Sequence, residues 1–279
     1  MTAGQLQTSG GISFLRRDGE GMPVVLLHGI GSNAESFTPL MAAFAAGRPV
    51  IAWNAPGYNA SMPLTAEWPD ATDYASALAG LLDRLDRPRC ILIGHSLGVL
   101  MAARFAVNWP ERVALLALIS PALGYGGTRG DALPPPVAAR IADLDRLGPQ
   151  GFAALRAPGL VGDPAARPDI VESVQQAMSQ VKRPGYDHAS RMLATARLLD
   201  DAALLKVPTT VMVGSIDRVT PPKNAHQLFE ALGLARRRHL VEIPGAGHAV
   251  CQEQPDAVVR ALSPMIDEAS DLEKVEADA

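Results

Sequence analysis

Residues 90–108 read CILIGHSLGVLMAARFAVN, and this stretch decides the fold. It opens with a short apolar run and ends in a long helical pattern. Between the two, Gly94 and Gly98 flank Ser96 in the pattern Gly-x-Ser-x-Gly. A serine on a tight strand-to-helix turn needs small neighbours, because larger side chains at the two glycine positions would collide with adjacent elements. The stretch therefore predicts a buried strand, a nucleophilic serine and a helix, in that order.

Short apolar runs rich in β-branched residues recur along the chain, with helical stretches between them. The runs are residues 24–27, 50–53, 91–93, 115–119, 210–213 and 240–243, and the helical patterns lie near 34–45, 72–85, 97–108, 224–232 and 255–268. Near-continuous hydrophobicity indicates strands buried on both faces, which is typical of a parallel sheet between layers of helices. Residues 6–8 and 12–16, joined through two glycines, predict an antiparallel hairpin at one edge. We therefore expect an α/β fold with a mostly parallel central sheet flanked by helices.

The strand pattern is interrupted between residues 121 and 200. Amphipathic segments replace it at 136–147, 170–181 and 187–199, separated by glycine and proline turns. We expect residues 122–200 to form a helical lid, inserted into a core made of residues 1–121 and 201–279.

The composition excludes several function classes. Hydrophobic residues make up 48% of the 279, enough apolar material for a large buried sheet. The formal net charge of −4 argues against nucleic acid as a partner, since binding to phosphates needs a concentrated basic face. The first twenty residues hold no apolar run long enough for a signal core, and no later run reaches the length of a membrane span, which predicts a cytoplasmic protein without a membrane partner. Two cysteines make no disulfide framework, and the sequence shows no motif for a metal or nucleotide cofactor.

The Gly-x-Ser-x-Gly turn, the order of the strands and the interrupting lid resemble the α/β-hydrolase family over nearly the whole chain. In that family the acid and then the histidine follow the nucleophile along the chain. Residues 214–217, GSID, resemble the acid loop, and residues 244–248, PGAGH, resemble the histidine loop. The resemblance implies Ser96 as nucleophile, His248 as general base and Asp217 as the carboxylate that orients the histidine.

A second glycine-rich loop, residues 27–31 with the sequence LHGIG, resembles the family's oxyanion loop. The resemblance implies that the backbone N–H groups of Ile30 and Leu97 stabilise negative charge on a substrate oxygen. We expect His28 to tie loops together at a buried strand end rather than to act as a base, and Gly29 to let the backbone approach the substrate.

A serine at this turn predicts acyl transfer to water, because the alkyl-enzyme branches of the family use a carboxylate nucleophile. We expect cleavage of a small carboxylic ester or lactone through an acyl-enzyme on Ser96, without a cofactor, by a monomer or homodimer. Three alternatives remain open: hydrolysis of a carbon–carbon bond in a dienone product of aromatic-ring cleavage, cofactor-free perhydrolysis, and a ligand receptor with a silent triad.

The lid supplies candidate residues for substrate binding. Lid arginines are candidates for pairing with a substrate carboxylate, as in the enol-lactonases that the chain resembles by its lid length and its serine turn. They are Arg140, Arg156, Arg183 and Arg191. Apolar lid residues are candidates for lining a pocket for a small aliphatic or aromatic group. They are Leu123, Tyr125, Phe152, Leu155, Met178 and Met192.

Overall fold

A computed structural model describes residues 4–235 and 237–277, and the strands of this part of the chain form a single sheet. They are β1 (Gln5–Ser9), β2 (Ile12–Arg17), β3 (Val24–Leu27), β4 (Val50–Trp53), β5 (Cys90–His95), β6 (Val113–Ile119), β7 (Thr209–Gly214) and β8 (Arg238–Ile243). Their order across the sheet is β1-β2-β4-β3-β5-β6-β7-β8. β2 pairs antiparallel with β1 and with β4, and the other pairings are parallel. This confirms a mostly parallel sheet with an antiparallel hairpin at one edge.

Helices cover both faces of the sheet. They are α1 (Thr38–Ala43), α2 (Ala71–Arg84), α3 (Gly98–Asn108), α4 (Pro135–Arg156), α5 (Pro168–Met178), α6 (Gly185–Thr195), α7 (Leu198–Ala202), α8 (Pro222–Ala231), α9 (Val250–Glu253) and α10 (Pro255–Ala277). α2, α3 and α8 pack on one face, whereas α1, α9 and α10 pack on the other. None of the described helices is long and apolar enough to cross a membrane.

Strand β3 shows why a continuous run of hydrophobic residues produces a sheet with helices on both faces. Val25 and Leu27 belong to the apolar cluster on one face, and Val24 and Leu26 belong to the cluster on the other. All four side chains are fully buried. Because successive side chains of a strand point to opposite faces, each stabilises a different helix layer, by roughly 1.5–3 kcal/mol per buried side chain.

The helix predicted over residues 34–45 is shorter than expected. Residues 34–37 form a 3₁₀ turn, where the Asn33 side chain accepts a hydrogen bond of 3.2 Å from the Ser36 N–H. A side chain that satisfies this free N–H stabilises a tight first turn. α1 then begins at Thr38 and ends at Ala43, because Phe44 has extended backbone angles.

Helices and loops, without strands, fill the described chain between β6 and β7. The segment predicted over 136–147 continues as α4 to Arg156 across a kink at Gly148, whose φ is +64° and which is followed by Pro149. The segment predicted over 187–199 is divided into α6 and α7, because Ala196 is extended. We call residues 122–200 the lid, and its Leu160 and Met178 line cavities at Ser96, which follows β5.

Candidate active site

The Gly-x-Ser-x-Gly stretch forms a sharp turn between β5 and α3. Ser96 has a φ of +55°, in the left-handed region, and its N–H donates to the Ile119 carbonyl at 2.9 Å. A Cβ at Gly94 would lie 2.5 Å from the Gly98 carbonyl oxygen, and one at Gly98 would lie 2.2 Å from the Leu27 carbonyl oxygen. Only glycine fits at both positions, so the strained serine is held by backbone packing on either side.

Three side chains from distant parts of the chain meet at this turn. The Ser96 Oγ lies 3.0 Å from His248 Nε2, and His248 Nδ1 lies 2.9 Å from Asp217 Oδ2. The three residues follow β5, β7 and β8, and each is at most 7% exposed. With its proton on Nδ1, the imidazole donates to the carboxylate and accepts from the serine hydroxyl. This arrangement can take a proton from Ser96 and stabilise the resulting imidazolium.

The Asp217 carboxylate is held ionised. Burial alone would raise its pKa, but hydrogen bonds from His248 and from the backbone N–H groups of Thr220 and Val219 outweigh burial and lower the pKa to about 2. The two backbone bonds measure 2.8 and 2.9 Å, and the Thr220 hydroxyl donates to the second carboxylate oxygen at 2.9 Å. Asp217 therefore faces His248 as an anion throughout the neutral pH range.

Two further histidines support the site without being placed as bases. His95 Nε2 donates to the His248 backbone carbonyl at 2.8 Å, and burial together with the neighbouring His248 lowers the pKa of His95 to about 3. His28 Nδ1 donates to the Gly29 carbonyl at 2.8 Å, and its Nε2 accepts from the Ala55 N–H at 3.0 Å. Burial lowers the pKa of His28 to about 4. Both rings are neutral at pH 7 and tie loops to one another.

The expected oxyanion donors lie beside the serine. Leu97 directly follows Ser96 and precedes the first turn of α3, so its N–H belongs to the positive end of a helix of 11 residues. Ile30 lines the cavities at Ser96. Within the described part of the chain, neither backbone N–H donates to another backbone group outside the regular elements. The two N–H groups therefore stay candidates for the oxyanion donors.

Two cavities of unequal size meet at Ser96. The smaller has a volume of about 30 Å³, and the larger has about 410 Å³. Ile30, Ser96, Leu160, Met178 and His248 line both. Gly29, Gly31, Ser32, Ser36, Phe37, His95, Val174, Ala177, Ala249, Cys251 and Gln252 complete the smaller, and Arg140, Asp143, Leu155, Arg156, Gly159 and Val219 complete the larger. The thiol in the smaller cavity stays protonated, since burial raises the pKa of Cys251 to about 12.

The four lid arginines have different surroundings. Arg140 and Arg156 line the larger cavity, and Arg156 pairs with Asp143 at 2.9 Å. Arg191 lines neither cavity, because its guanidinium stacks 5.5 Å from the centre of the Trp68 ring and donates to the Glu67 carbonyl. Arg183 also lies elsewhere, paired with acidic residues at the lid surface.

The apolar lid candidates are divided in the same way. Leu155 and Met178 line the cavities. Phe152 and Met192 are buried in the lid, with Phe152 edge-on to Tyr186 at 5.4 Å. Tyr125 is 48% exposed, and its backbone pairs with α6 away from Ser96. Phe152, Met192 and Tyr125 therefore do not line either cavity, and neither does Leu123, which packs against the apolar core cluster.

Several residues at the site were not singled out by the sequence. Thr220 follows the predicted acid by three positions, inside the loop that resembles the family's acid loop. The resemblance of this loop was the feature of the sequence that could have indicated Thr220. Leu160 and Val174 reach the cavities from the lid, and no local pattern marks them. Among the described residues, no group of three or more His, Cys, Asp and Glu side chains is placed to hold a metal ion.

The chain is similar to known proteins along most of its length. The model of the alpha/beta hydrolase family matches residues 24–261. The chain is 32% identical over 247 residues to the dihydrolipoyllysine-residue acetyltransferase component of the acetoin cleaving system of Pseudomonas putida, which is 85% of this chain but only 61% of that protein. It is 30% identical over 268 residues, 91% of each protein, to the 2-(acetamidomethylene)succinate hydrolase of Mesorhizobium japonicum.

A solved structure agrees with the fold. The enol-lactonase from Burkholderia xenovorans LB400 superposes with a TM-score of 0.81 at 20% identity, covering 94% of this chain and 100% of that one. At this identity the likeness concerns the fold alone.

Proposed function

The chain belongs to the alpha/beta hydrolase family, and from this premise we propose that it cleaves a small carboxylic ester or lactone through an acyl-enzyme on Ser96. The hydrogen-bonded chain from Ser96 through His248 to Asp217, with contacts of 3.0 and 2.9 Å, is the observation that carries the proposal. A serine hydroxyl is a weak nucleophile, and such a chain is the arrangement that activates it.

The reaction has two halves. In the first, Ser96 Oγ attacks the substrate carbonyl carbon while His248 Nε2 takes the hydroxyl proton. The carbonyl oxygen becomes an oxyanion that the N–H groups of Ile30 and Leu97 stabilise, and anionic Asp217 stabilises the imidazolium. The carbon–oxygen bond to the alcohol then breaks, and His248 gives that oxygen the proton.

In the second half, His248 accepts a proton from a water molecule that attacks the acyl carbon. The second tetrahedral intermediate uses the same two N–H groups. The bond to Ser96 Oγ breaks as His248 returns the proton to it, which releases the carboxylic acid and restores the enzyme.

We infer from the unequal cavities where the two parts of an ester substrate bind. The alcohol must depart while the acyl group is still bonded to the serine, so it belongs on the side that opens outward. The larger cavity opens past Leu155 and Val219, which are 57% and 37% exposed. The smaller cavity, at about 30 Å³, then takes the acyl group, and its volume has room for about two groups the size of a water molecule. We therefore propose a short acyl group, such as acetyl.

The larger cavity also favours a negatively charged leaving group. Asp143 pairs with Arg146 and Arg156, whereas Arg140 forms no ion pair within the described residues and lines the same cavity. A guanidinium without a carboxylate partner, in the cavity that reaches Ser96, suits a substrate carboxylate, with which it can form two parallel hydrogen bonds. The relative from Mesorhizobium japonicum is named as the hydrolase of a succinate derivative, in line with this proposal.

The test is turnover of a panel of substrates by the wild-type protein and by Ser96→Ala. We expect hydrolysis of p-nitrophenyl acetate, with kcat/KM at least about tenfold higher than for the octanoate ester, because methylenes that do not fit a pocket cost this much or more. Lactones, a ring-cleavage dienone and peroxide with acetate complete the panel. Cleavage of the dienone without any ester or lactone hydrolysis, or full activity in Ser96→Ala, would overturn the proposal.

A further inference from the structure

One carboxylate joins the lid to the loop of the catalytic histidine. Glu253 Oε1 accepts a hydrogen bond of 3.0 Å from the N–H of Gly247, the residue before His248. Glu253 Oε2 accepts another of 3.0 Å from the N–H of Gly162, in the lid. We call Gly162, Gly247 and Glu253 the lid junction.

The two glycines of the lid junction are in direct contact. A Cβ at Gly162 would lie 2.9 Å from the Gly247 nitrogen, and one at Gly247 would lie 2.4 Å from the Gly162 nitrogen. Both residues are buried. Two buried N–H groups therefore depend on a single carboxylate, and without it each would lose its acceptor at a cost of about 1–3 kcal/mol.

Further hydrogen bonds run from the same stretch of chain to the lid. The Ala249 N–H donates to the Leu160 carbonyl at 2.9 Å, on the other side of His248 from Gly247. Gln252 Nε2 donates to Ser173 Oγ at 2.9 Å. The backbone on both sides of His248 is thus connected to the lid, directly at Ala249 and through Glu253 at Gly247, whereas its ring is held from the core by Asp217.

We propose that Glu253 is a positioning residue, which fixes the backbone of His248 against the lid so that the lid sets the position of the general base as well as covering the cavity. This inference rests on the proposed function of His248. Because Glu253 touches neither cavity, it acts through the histidine loop and does not contact the substrate.

The variants that test the inference are Glu253→Ala, Glu253→Gln and the matched control Glu242→Gln. Glu242 is a surface carboxylate on β8 whose side chain pairs with His226. Active sites are first titrated with a fluorophosphonate, and kcat and KM for p-nitrophenyl acetate are then measured per titrated site at about pH 8, where carboxylates are ionised. Titration separates the fraction of folded enzyme from the rate of each active site.

We expect kcat per titrated site to fall between about 10-fold and about 100-fold in Glu253→Ala, since a displacement of the order of 1 Å at a catalytic group costs this much. KM should change less than about threefold, because a positioning residue outside the cavity leaves substrate binding in place. Glu253→Gln should be intermediate, as its amide oxygen can accept only one of the two N–H groups while its NH₂ faces the other. Glu242→Gln should match the wild type.

A full rate per titrated site in Glu253→Ala would overturn the inference, and so would a loss confined to the number of titratable sites. If Glu253→Ala does not fold, Glu253→Gln decides by the same two criteria. A wild-type protein that takes no fluorophosphonate would instead overturn the proposed function, and this inference with it.

Discussion

The core edge and the lid both contribute to the surroundings of Ser96, but they are held together differently. On the core side, the backbone at Gly94 and Gly98 packs so closely against neighbouring backbone that no side chain fits there. The pairing of β7 with β8 fixes the strands from which the loops of Asp217 and His248 begin. On the lid side, apolar side chains shared with one core cluster and individual hydrogen bonds, rather than strand pairing, connect the helices to the core. We infer from this difference that the core edge carries the reacting groups, with Glu253 joining the histidine loop to the lid, and that the lid shapes the substrate cavity.

Removing the nucleophile tests the core side with the largest effect. Ser96→Ala should lower kcat by about 10⁶-fold, because in serine triads the loss of the serine alone costs about as much as the loss of all three residues. The thermal unfolding midpoint should stay close to that of the wild type, since a buried methyl group fits where the hydroxymethyl group stood. Steady-state kinetics with circular dichroism melting checks both. A large drop in the melting temperature would mean that Ser96 is also structural.

Crowding the serine turn should damage folding rather than catalysis alone. We expect Gly98→Ala to lower the free energy of unfolding by about 4 kcal/mol, because its Cβ would lie 2.2 Å from the Leu27 carbonyl oxygen. Gly233→Ala is the matched control, since a Cβ there would meet no atom within 4 Å. Urea unfolding measures both variants. Equal stability of the two would show that the core edge is more adjustable than the packing indicates.

Acid pH should weaken the core side. Burial lowers the pKa of His28 to about 4 and that of His95 to about 3. A histidine in the unfolded chain has a pKa of about 6.5, so below that pH the unfolded chain binds protons that the folded chain does not. The free energy of unfolding therefore falls as the pH falls from about 6.5 to these lower values. For His28 the loss amounts to about 3 kcal/mol, complete below about pH 4.

One carboxylate of the core, next to the end of the lid, responds to acid in the opposite direction. Burial raises the pKa of Asp201, on α7, to about 6 even though Arg104 pairs with it and works against the shift. The folded chain therefore binds this proton first, and stability rises as the pH falls from about 6 to about 4. Because two histidines oppose one aspartate, we expect a lower melting temperature at about pH 4.5 than at about pH 7. An equal or higher value at the lower pH would contradict this balance.

The core edge could be predicted from the sequence because its signals are local. The turn at Ser96 lies within ten residues of both the strand and the helix that define it, and each of the other two loops directly follows an apolar strand. The carboxyl ends of parallel strands meet at one edge of a sheet, so three local patterns, each interpreted by its resemblance to a loop of the family, were enough to place three side chains together.

The lid could not be predicted in the same way. Arg140 and Arg191 have no distinguishing neighbours in the sequence, yet one lines the larger cavity and the other stacks on Trp68. The bond from Gly162 to Glu253 spans 91 residues and depends on how the lid docks. Contacts of this kind follow from tertiary packing, which no local periodicity encodes.

The smallest expected effect is a change in KM that distinguishes Arg140 from Arg191. Arg140→Ala should raise KM about tenfold for an ester whose alcohol carries a carboxylate and leave a neutral ester unchanged, which is the usual worth of one charged hydrogen-bonded pair. Arg191→Ala should change neither KM. If both variants have the wild-type KM for the anionic ester, Arg140 does not bind a substrate carboxylate.

The most direct test of the acyl-enzyme proposal is to label the wild-type protein with a fluorophosphonate and to map the modified peptide by mass spectrometry. We expect one adduct per chain, on Ser96, and none when Asp217→Asn is labelled for the same short time, because the imidazole then loses the tautomer that activates the serine. No adduct on the folded wild-type protein, or an adduct on another residue with Ser96 unmodified, would contradict a serine activated by His248 and Asp217.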